Sequence, residues 1–419
     1  MIRATIKSEL FRVVFAAAMV FAAAFLYLYS ADSDYKEYSA DEKNYLAQHS
    51  ETAGFISSLT ADTQKATDTY FSIHNLEGYY DENNRPTDDL LASLAGEHSF
   101  GKAELLWRTQ QYNSAGFATK TKLRDYDFFR YMSDAYLPTL DYKRFVSDST
   151  ARNEALLQKS HSSAEDKIIS ECEIAFLSSM PQELPYTASV CGVNIFAPMF
   201  SKDGIFAFFI VLISFGMFTK YKQSRYMDYI KTTKCGAKKF CMGQYAAFAL
   251  IFTAGYLLYC VMYFLLTLLY TSDLSVFALP MQICAEVRYS VLPLNVGQYL
   301  MILFIVRYLY FLVTLSVCAL ISMLLPLTYV SMAVCAAVGA VPLVLRLFGI
   351  EGTAAQLLCG DVIPFIDGGD ISACFGTAVP DIILVAAAYL LIFAVISAAC
   401  LISGFLQFGG GKRTVKRHA

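Results

Sequence analysis

The sequence predicts a mainly α-helical, six-helix polytopic membrane protein with a largely helical extracytoplasmic domain between the first and second spans. Of its 419 residues, 56% are hydrophobic and only 16% are charged, which is too apolar for an ordinary soluble protein. The apolar residues gather in runs close to the roughly 20 residues that cross a bilayer core. The six runs are Val13–Tyr29, Gly204–Thr219, Tyr245–Tyr270, Leu300–Leu325, Tyr329–Leu345 and Ile382–Phe408.

These runs divide the chain into four regions. Residues 1–30 are predicted to hold an interfacial helix and the first span, and residues 31–203 the extracytoplasmic domain. Residues 204–408 hold five spans with a basic loop at 220–243, and residues 409–419 form a basic tail. The uncharged link from Leu325 to Thr328 predicts a tight hairpin between the fourth and fifth spans.

The first run favours a membrane anchor over a cleaved signal peptide. Arg3, Lys7 and Arg12 supply the basic leader that both kinds of segment share. The 17 uninterrupted apolar residues that follow exceed the usual signal core of about 7 to 15 residues, and Tyr29 departs from the small-residue cleavage pattern. Cleavage stays the alternative.

Charge asymmetry predicts the side of the membrane on which each segment lies. Residues 31–202 contain 16 Lys or Arg against 26 Asp or Glu, whereas residues 220–243 contain seven basic residues against Asp228 alone. The tail adds Lys412, Arg413, Lys416 and Arg417. Because short loops rich in Lys and Arg stay on the cytoplasmic side, both termini and the 220–243 loop are predicted to be cytoplasmic. The 31–203 domain is then outside.

Local patterns predict helices in the 31–203 domain. Ser39 and Glu42 fit a capping box that starts one helix, and a second helix is predicted over Thr150–Met180 with Pro181 after it. The stretch Thr187–Phe196 mixes Val and Ile with Thr and Cys, which predicts a short strand or an extended approach to the membrane.

The acidic balance of this domain has two interpretations. A solvated surface is the simpler one, and attraction of cationic ligands such as basic peptides is the other, with Asp88, Asp89 and Glu97 as the cluster to test. Two pairs of cysteines lie on the predicted outer side: Cys172 with Cys191, and Cys359 with Cys374. Either pair could form a disulfide, and the sequence alone does not decide this.

No motif for catalysis emerges from the sequence. The nearest approach to a phosphate loop, Gly409 to Arg413, lacks the first glycine at the required spacing. Asp367 and Asp370 flank two glycines, which favours a polar turn over a cation site. The sequence therefore predicts no catalytic residue, no metal, no cofactor and no nucleic-acid partner.

Arg307 is a charged residue inside the fourth apolar run, and such residues are costly in a bilayer. Two interpretations stay open. The side chain reaches up to the interface if the span begins near Tyr308, and it lines a translocation path if the span begins near Leu300.

The basic loop carries a resemblance to a known family. Its central residues are Thr232, Thr233, Lys234, Cys235, Gly236, Ala237, Lys238 and Lys239. This pattern of Thr, polar, Gly and basic residues resembles the cytoplasmic segment between the second and third spans of ABC transporter permeases of the exporter-associated type. The large insert after the first span and the tight hairpin between the fourth and fifth spans are similar to that family as well.

The resemblance implies a membrane subunit that works as a homodimer or permease heterodimer with a separate cytoplasmic ABC ATPase, so the chain itself is not expected to hydrolyse ATP. Bacterial export of, or resistance to, peptides, antibiotics or lipid-like compounds is the implied activity, in the bacterial plasma membrane. The residues expected to dock the ATPase are Met227, Tyr229, Ile230, Lys231, Lys234, Lys238 and Lys239. A membrane-anchored sensor or assembly protein is the alternative. A secondary transporter is less favoured because no internal repeat is visible.

Overall fold

The computed structural model describes residues 41–49, 52–74, 125–132, 139–159, 162–181, 191–224, 236–269, 274–350, 352–367, 371–374 and 376–409 apart from Lys43, with a few single residues elsewhere. The described residues are mostly helical and fall into two compact units. The larger unit holds residues 1–33, 145–182 and 189–419, and the smaller unit holds residues 34–144 and 183–188.

The smaller unit is built on helix α1, Thr52–His74, with further helical residues at 44–48 and 125–132. Its apolar core consists of Tyr45, Phe55, Leu59, Phe128 and Met132. The Tyr45 hydroxyl donates to Asp62 Oδ2 at 2.9 Å, and burial together with the Asp62 carboxylate raises the pKa of Tyr45. A satisfied hydroxyl can therefore stay inside this small aromatic core.

Two helices, α2 (Thr139–Gln158) and α3 (Ala164–Ser179), replace the single helix predicted over Thr150–Met180. The prediction was wrong because Ser163 starts a new helix: its side chain accepts from the Asp166 N–H at 3.0 Å, and Asp166 reciprocates. Asn153 then joins the two helices by donating to Glu173 at 2.6 Å. Helix α3 ends before Pro181, as predicted.

The described residues of Thr187–Phe196 are helical, so the extended prediction was wrong there. Helix α4 covers Cys191–Lys202 and buries Val193, Phe196 and Phe200 in the main core, which outweighs the strand preference of the β-branched residues. The described thiols of Cys172, Cys359 and Cys374 are free, so neither of the two disulfides that the sequence left open is formed.

Five helical segments are long and apolar enough to cross a membrane: Ile205–Gln223, Lys239–Leu268, Val296–Leu324, Thr328–Leu347 and Asp381–Gln407. They agree with the second to sixth predicted runs and indicate a multi-pass membrane protein. Residues 14, 17, 18, 21, 22 and 25 of the first run are helical, and Ala17 and Phe21 pack against the main core. The interfacial helix before it lies outside the described residues.

The second segment is not one continuous helix. Helix α5 covers Ile205–Ser214, a turn follows at residues 215–218, and helix α6 covers Thr219–Gln223. The other spans are α7 (Gly236–Leu269), α8 (Val296–Leu324), α9 (Thr328–Leu347) and α12, which covers Asp381–Gly409. Leu325 to Leu327 join α8 to α9, which confirms the predicted tight hairpin.

Helix α8 lies at the centre of this bundle and packs against α5, α7, α9 and α12. Polar contacts tie the helices together: the Tyr245 hydroxyl on α7 lies 2.8 Å from Ser316 Oγ on α8 and 2.7 Å from Ser397 Oγ on α12. Gly255 on α7 allows a close approach, since a Cβ there would lie 2.8 Å from the Phe209 ring on α5.

Short elements cover one end of the bundle, which we call the loop end. Three 3₁₀ turns (Leu274–Ala278, Met281–Ile283 and Ala285–Val287) precede α8. Helices α10 (Thr353–Cys359) and α11 (Pro364–Asp367) follow α9, and a hairpin of β1 (Ile371–Cys374) and β2 (Thr377–Pro380) packs against α3. An Asn295–Gln298 capping box starts α8 at this end.

Candidate functional site

Arg307 lies three turns into α8 and is 1% exposed. Its Nη1 donates to the carbonyls of Cys359 and Gly360 at 3.1 and 2.9 Å, and its Nη2 donates to the carbonyl of Asp203. The guanidinium also lies 4.6 Å from the centre of the Phe311 ring. Its described polar partners are thus backbone carbonyls, and we call this group the arginine clamp.

The clamp joins two places where helices end. Asp203 separates α4 from α5, Cys359 ends α10, and Gly360 follows in the left-handed conformation with φ of +65°. Carbonyls at helix ends have no partner within the helix and need another donor when water is excluded. One guanidinium, with its several N–H groups in a fixed plane, supplies donors to all three carbonyls.

Gly360 is needed for this close packing. A Cβ at position 360 would lie 2.5 Å from the Tyr310 ring and 2.8 Å from Arg307 Nη1. The Tyr310 hydroxyl donates to the Leu358 carbonyl at 3.2 Å, and the Tyr389 hydroxyl donates to the Leu357 carbonyl at 2.7 Å. Helices α8 and α12 therefore satisfy most of the carbonyls at the end of α10 with side chains.

The Asp203 side chain is a second buried polar centre beside the clamp. Its Oδ1 accepts from the Ile205 N–H at 2.7 Å, which gives the first N–H of α5 a partner. Its Oδ2 accepts from the hydroxyls of Tyr259 and Tyr263 on α7, the latter at 2.9 Å.

Further bonds fix α4 to the segment after α10. The Ser201 hydroxyl donates to Asp361 Oδ1 at 2.6 Å and accepts from the Val362 N–H at 3.1 Å. Arg346, at the end of α9, donates to the carbonyl of Lys202. The hydrogen bonds in this region therefore link the ends of several helices to one another. Among the described residues, we find no group of three metal-binding side chains.

The structure argues against one of the two interpretations of Arg307, namely that its side chain reaches up to the membrane interface. A side chain that reaches the interface would expose its guanidinium, whereas this one is buried among carbonyls and aromatic rings. The geometry is that of a structural clamp. Contact of Arg307 with a translocated molecule stays a prediction.

The opposite end of the bundle carries the basic loop, and we call it the basic end. Lys222 Nζ donates to the carbonyls of Met323 and Leu325, the latter at 3.4 Å, at the end of α8. Thr328 at the start of α9 donates to Gln223 Oε1 at 2.8 Å. Helix α6 is thereby fixed to the α8–α9 hairpin, so the start of the basic loop has a defined position.

The turn inside the second span is satisfied by neighbouring helices. Ser322 Oγ accepts from the N–H groups of Phe218 and Thr219, at 2.9 and 3.4 Å. Ser331 Oγ donates to the Phe215 carbonyl at 2.8 Å. Irregular backbone is tolerated at membrane depth only with such partners, so the break is a built feature of the fold.

Most of the residues predicted to dock an ATPase lie outside the described part of the chain: Met227, Tyr229, Ile230, Lys231 and Lys234. Lys238 and Lys239 lie in the first turn of α7, and the Lys239 side chain is exposed. The structure does not bring Lys239 together with Arg307. The start of α7 lies near Met323, because Cys241 and Met323 both face Gly404, and α8 places Arg307 and Ser322 about 22 Å apart along its axis.

Sequence reasoning missed Asp203, Gly360 and the two serines at the span break. Asp203 carried a usable signal, since Asp followed by Gly immediately before an apolar run predicts a helix start. The partners of Arg307 carried none, because they are carbonyls of residues 52 positions or more away in the chain.

No protein-family model, curated protein or solved structure matches this chain.

Proposed function

We propose that the chain is the membrane subunit of an ATP-driven transporter of the exporter-associated ABC permease type. In this proposal it acts as a homodimer or permease heterodimer, and ATP is hydrolysed by a separate cytoplasmic subunit. Export of, or resistance to, peptides, antibiotics or lipid-like compounds is the activity we infer. The proposal rests on the resemblance of the 220–243 loop and on one feature of the fold.

That feature is the fixed attachment of α6 to the α8–α9 hairpin at the basic end. Lys222 and Gln223 are bonded to residues of the hairpin, so the loop that follows starts from a rigid base. A loop held in this way is suited to transmit the movement of a bound ATPase into the second, fourth and fifth spans. A flexible basic loop that only contacted lipid would need no such attachment.

The main test is copurification of the full-length chain from its own membrane in mild detergent. We expect an ATPase with a phosphate loop to associate, and its ATP hydrolysis to depend on the chain. The variant Met227→Ala/Ile230→Ala/Lys234→Ala should reduce this association at least tenfold, because apolar and charged contacts at the centre of an interface carry most of its energy. Lys167→Ala, at an exposed position of α3, is the control.

Two outcomes would contradict the proposal at different levels. Absence of any phosphate-loop ATPase from the purified chain would count against an ABC transporter and favour the membrane-anchored sensor or assembly protein. Association that survives the triple substitution would keep the transporter and reject these docking residues.

A secondary transporter is the second candidate, and one observation favours it. The second span is interrupted at residues 215–218, and the fourth span buries Arg307. Discontinuous spans with buried polar residues are common in such transporters. Membrane vesicles distinguish the two: transport by the ABC protein requires ATP and stops with an ATPase inhibitor, whereas secondary transport follows an ion gradient without ATP.

A further inference from the structure

A cavity of about 330 Å³ opens at the loop end between the ends of α4, α9 and α10. It is lined by Lys202, Arg346, Gly349, Ile350, Ala355, Gln356, Cys359 and Asp361. The walls are held by side chains already described. Arg346 donates to the Lys202 carbonyl, and the Asp361 carboxylate accepts from Ser201 at 2.6 Å. The cavity is therefore a formed pocket.

The charges around this pocket favour an anion. Two cations, Lys202 and Arg346, line it against a single described carboxylate, Asp361, one oxygen of which is bonded to Ser201. Burial raises the pKa of the Cys359 thiol, so this residue adds no negative charge near neutral pH. Gln356 contributes an amide group. Glu351 follows Ile350 in the sequence and lies outside the described residues.

The surface beside the pocket is apolar and exposed. Leu347 and Phe348, at the end of α9, are each 75% exposed, and Leu343 one turn earlier is 55% exposed. Helix α9 is one of the candidate spans, so its exposed apolar side chains face the hydrocarbon of a bilayer and its end lies near the headgroups. A cationic pocket thus adjoins a surface suited to acyl chains.

We propose that this pocket binds the phosphate headgroup of an anionic phospholipid, with the acyl chains along Leu343, Leu347 and Phe348. Charge complementarity selects the headgroup: Arg346 offers planar paired donors to phosphate oxygens, and Lys202 offers a compact cation. The apolar surface selects an amphiphile over a free anion. This inference does not depend on the proposed transport function.

The test measures lipid binding to the purified full-length chain by native mass spectrometry, with phosphatidylglycerol and phosphatidylcholine as probes. We expect the wild type to retain phosphatidylglycerol in preference to phosphatidylcholine. Lys202→Ala should weaken phosphatidylglycerol binding about fivefold, since one cation near a headgroup contributes on the order of 1 kcal/mol. Lys167→Ala, which removes an exposed lysine far along the sequence from the pocket, should leave binding unchanged.

A substitution of opposite sign keeps the test informative if Lys202→Ala disturbs folding. Asp361→Asn removes the described negative charge but keeps an acceptor for Ser201, so it should strengthen phosphatidylglycerol binding. Equal retention of the two lipids, or phosphatidylglycerol binding that none of these variants changes, would overturn the proposal. So would binding of inorganic phosphate as tight as that of the lipid, because the pocket would then serve a free anion.

Discussion

Single side chains satisfy backbone groups of the loop end that water would satisfy in a soluble protein. Arg307 does this for three carbonyls, and Asp203 does it for the first N–H of α5. Each of these groups would cost roughly 1–3 kcal/mol if left buried without a partner. The stability of the loop end therefore depends strongly on a few side chains.

Replacing Arg307 should show that its role is structural. Arg307→Ala removes the donors of three buried carbonyls and leaves a cavity, so we expect a loss of about 3 kcal/mol or more of stability. The melting temperature in detergent and the yield of folded protein should both fall. Arg152→Ala, at a side chain that is 67% exposed, is the matched control and should change neither. Full stability of Arg307→Ala with loss of transport would instead support a place on the translocation path.

Two glycines with the same backbone conformation allow a sharp comparison. Gly360 and Gly349 have φ of +65° and +60°, but a Cβ at Gly349 meets nothing within 4 Å, whereas one at Gly360 meets Tyr310 and Arg307. Gly349→Ala should cost about 1–2 kcal/mol from the left-handed conformation alone. Gly360→Ala should cost at least about 2 kcal/mol more, measured as the difference in unfolding free energy or melting temperature. Equal losses of unfolding free energy for the two variants would show that the loop end rearranges to accommodate the added methyl group.

At the scale of elements, the second span is assembled from two short helices, α5 and α6, and neighbouring helices satisfy the backbone groups of the turn between them. The break at residues 215–218 lies against Ser322 of α8 and Ser331 of α9, so it depends on the α8–α9 hairpin being in place. The same hairpin holds α6 through Lys222. We therefore expect a displacement of the basic loop to change the structure first at this break.

The two serines at the break should differ in importance. Ser322→Ala removes the described acceptor of the buried Phe218 N–H, which should cost about 1–3 kcal/mol. Ser331→Ala should cost less, because the Phe215 carbonyl also accepts from Thr219 Oγ1 at 3.2 Å. Thermal unfolding of both variants checks the order, with Ser178→Ala at an exposed position of α3 as the control. A Ser322→Ala protein as stable as the control would mean that the turn finds another partner.

At the scale of the whole molecule, the sequence predicts membrane segments far better than the contacts between them. The five described spans and the Leu325–Leu327 link follow directly from length and apolarity. The break in the second span could not be predicted, because Phe215 to Phe218 is apolar apart from Gly216 and its partners are serines over 100 residues away. The α2–α3 boundary was missed because the Ser163 capping box lies inside an otherwise helical pattern.

The orientation of the bundle in the membrane is also a prediction from charge, and the structure adds which segments share each end of the bundle. Lys222 on the basic loop and the α8–α9 hairpin share one end, while residues 274–295 precede α8 at the other. If basic loops stay inside, the whole loop end with its lipid pocket lies outside the cell. All exposed positions at one end of the bundle should therefore be accessible to reagents from the same side of the membrane.

Single cysteines placed at the two ends provide that test, in a background from which the eleven native cysteines have been replaced. Leu274 is 68% exposed at the loop end, and Lys239 is exposed at the basic end. An impermeant maleimide added to intact cells should label Leu274→Cys at once and label Lys239→Cys only after permeabilisation, because the charge of the 220–243 loop holds it in the cytoplasm. The reverse pattern would invert the topology, place the lipid pocket in the inner leaflet and remove the basic loop from reach of a cytoplasmic ATPase.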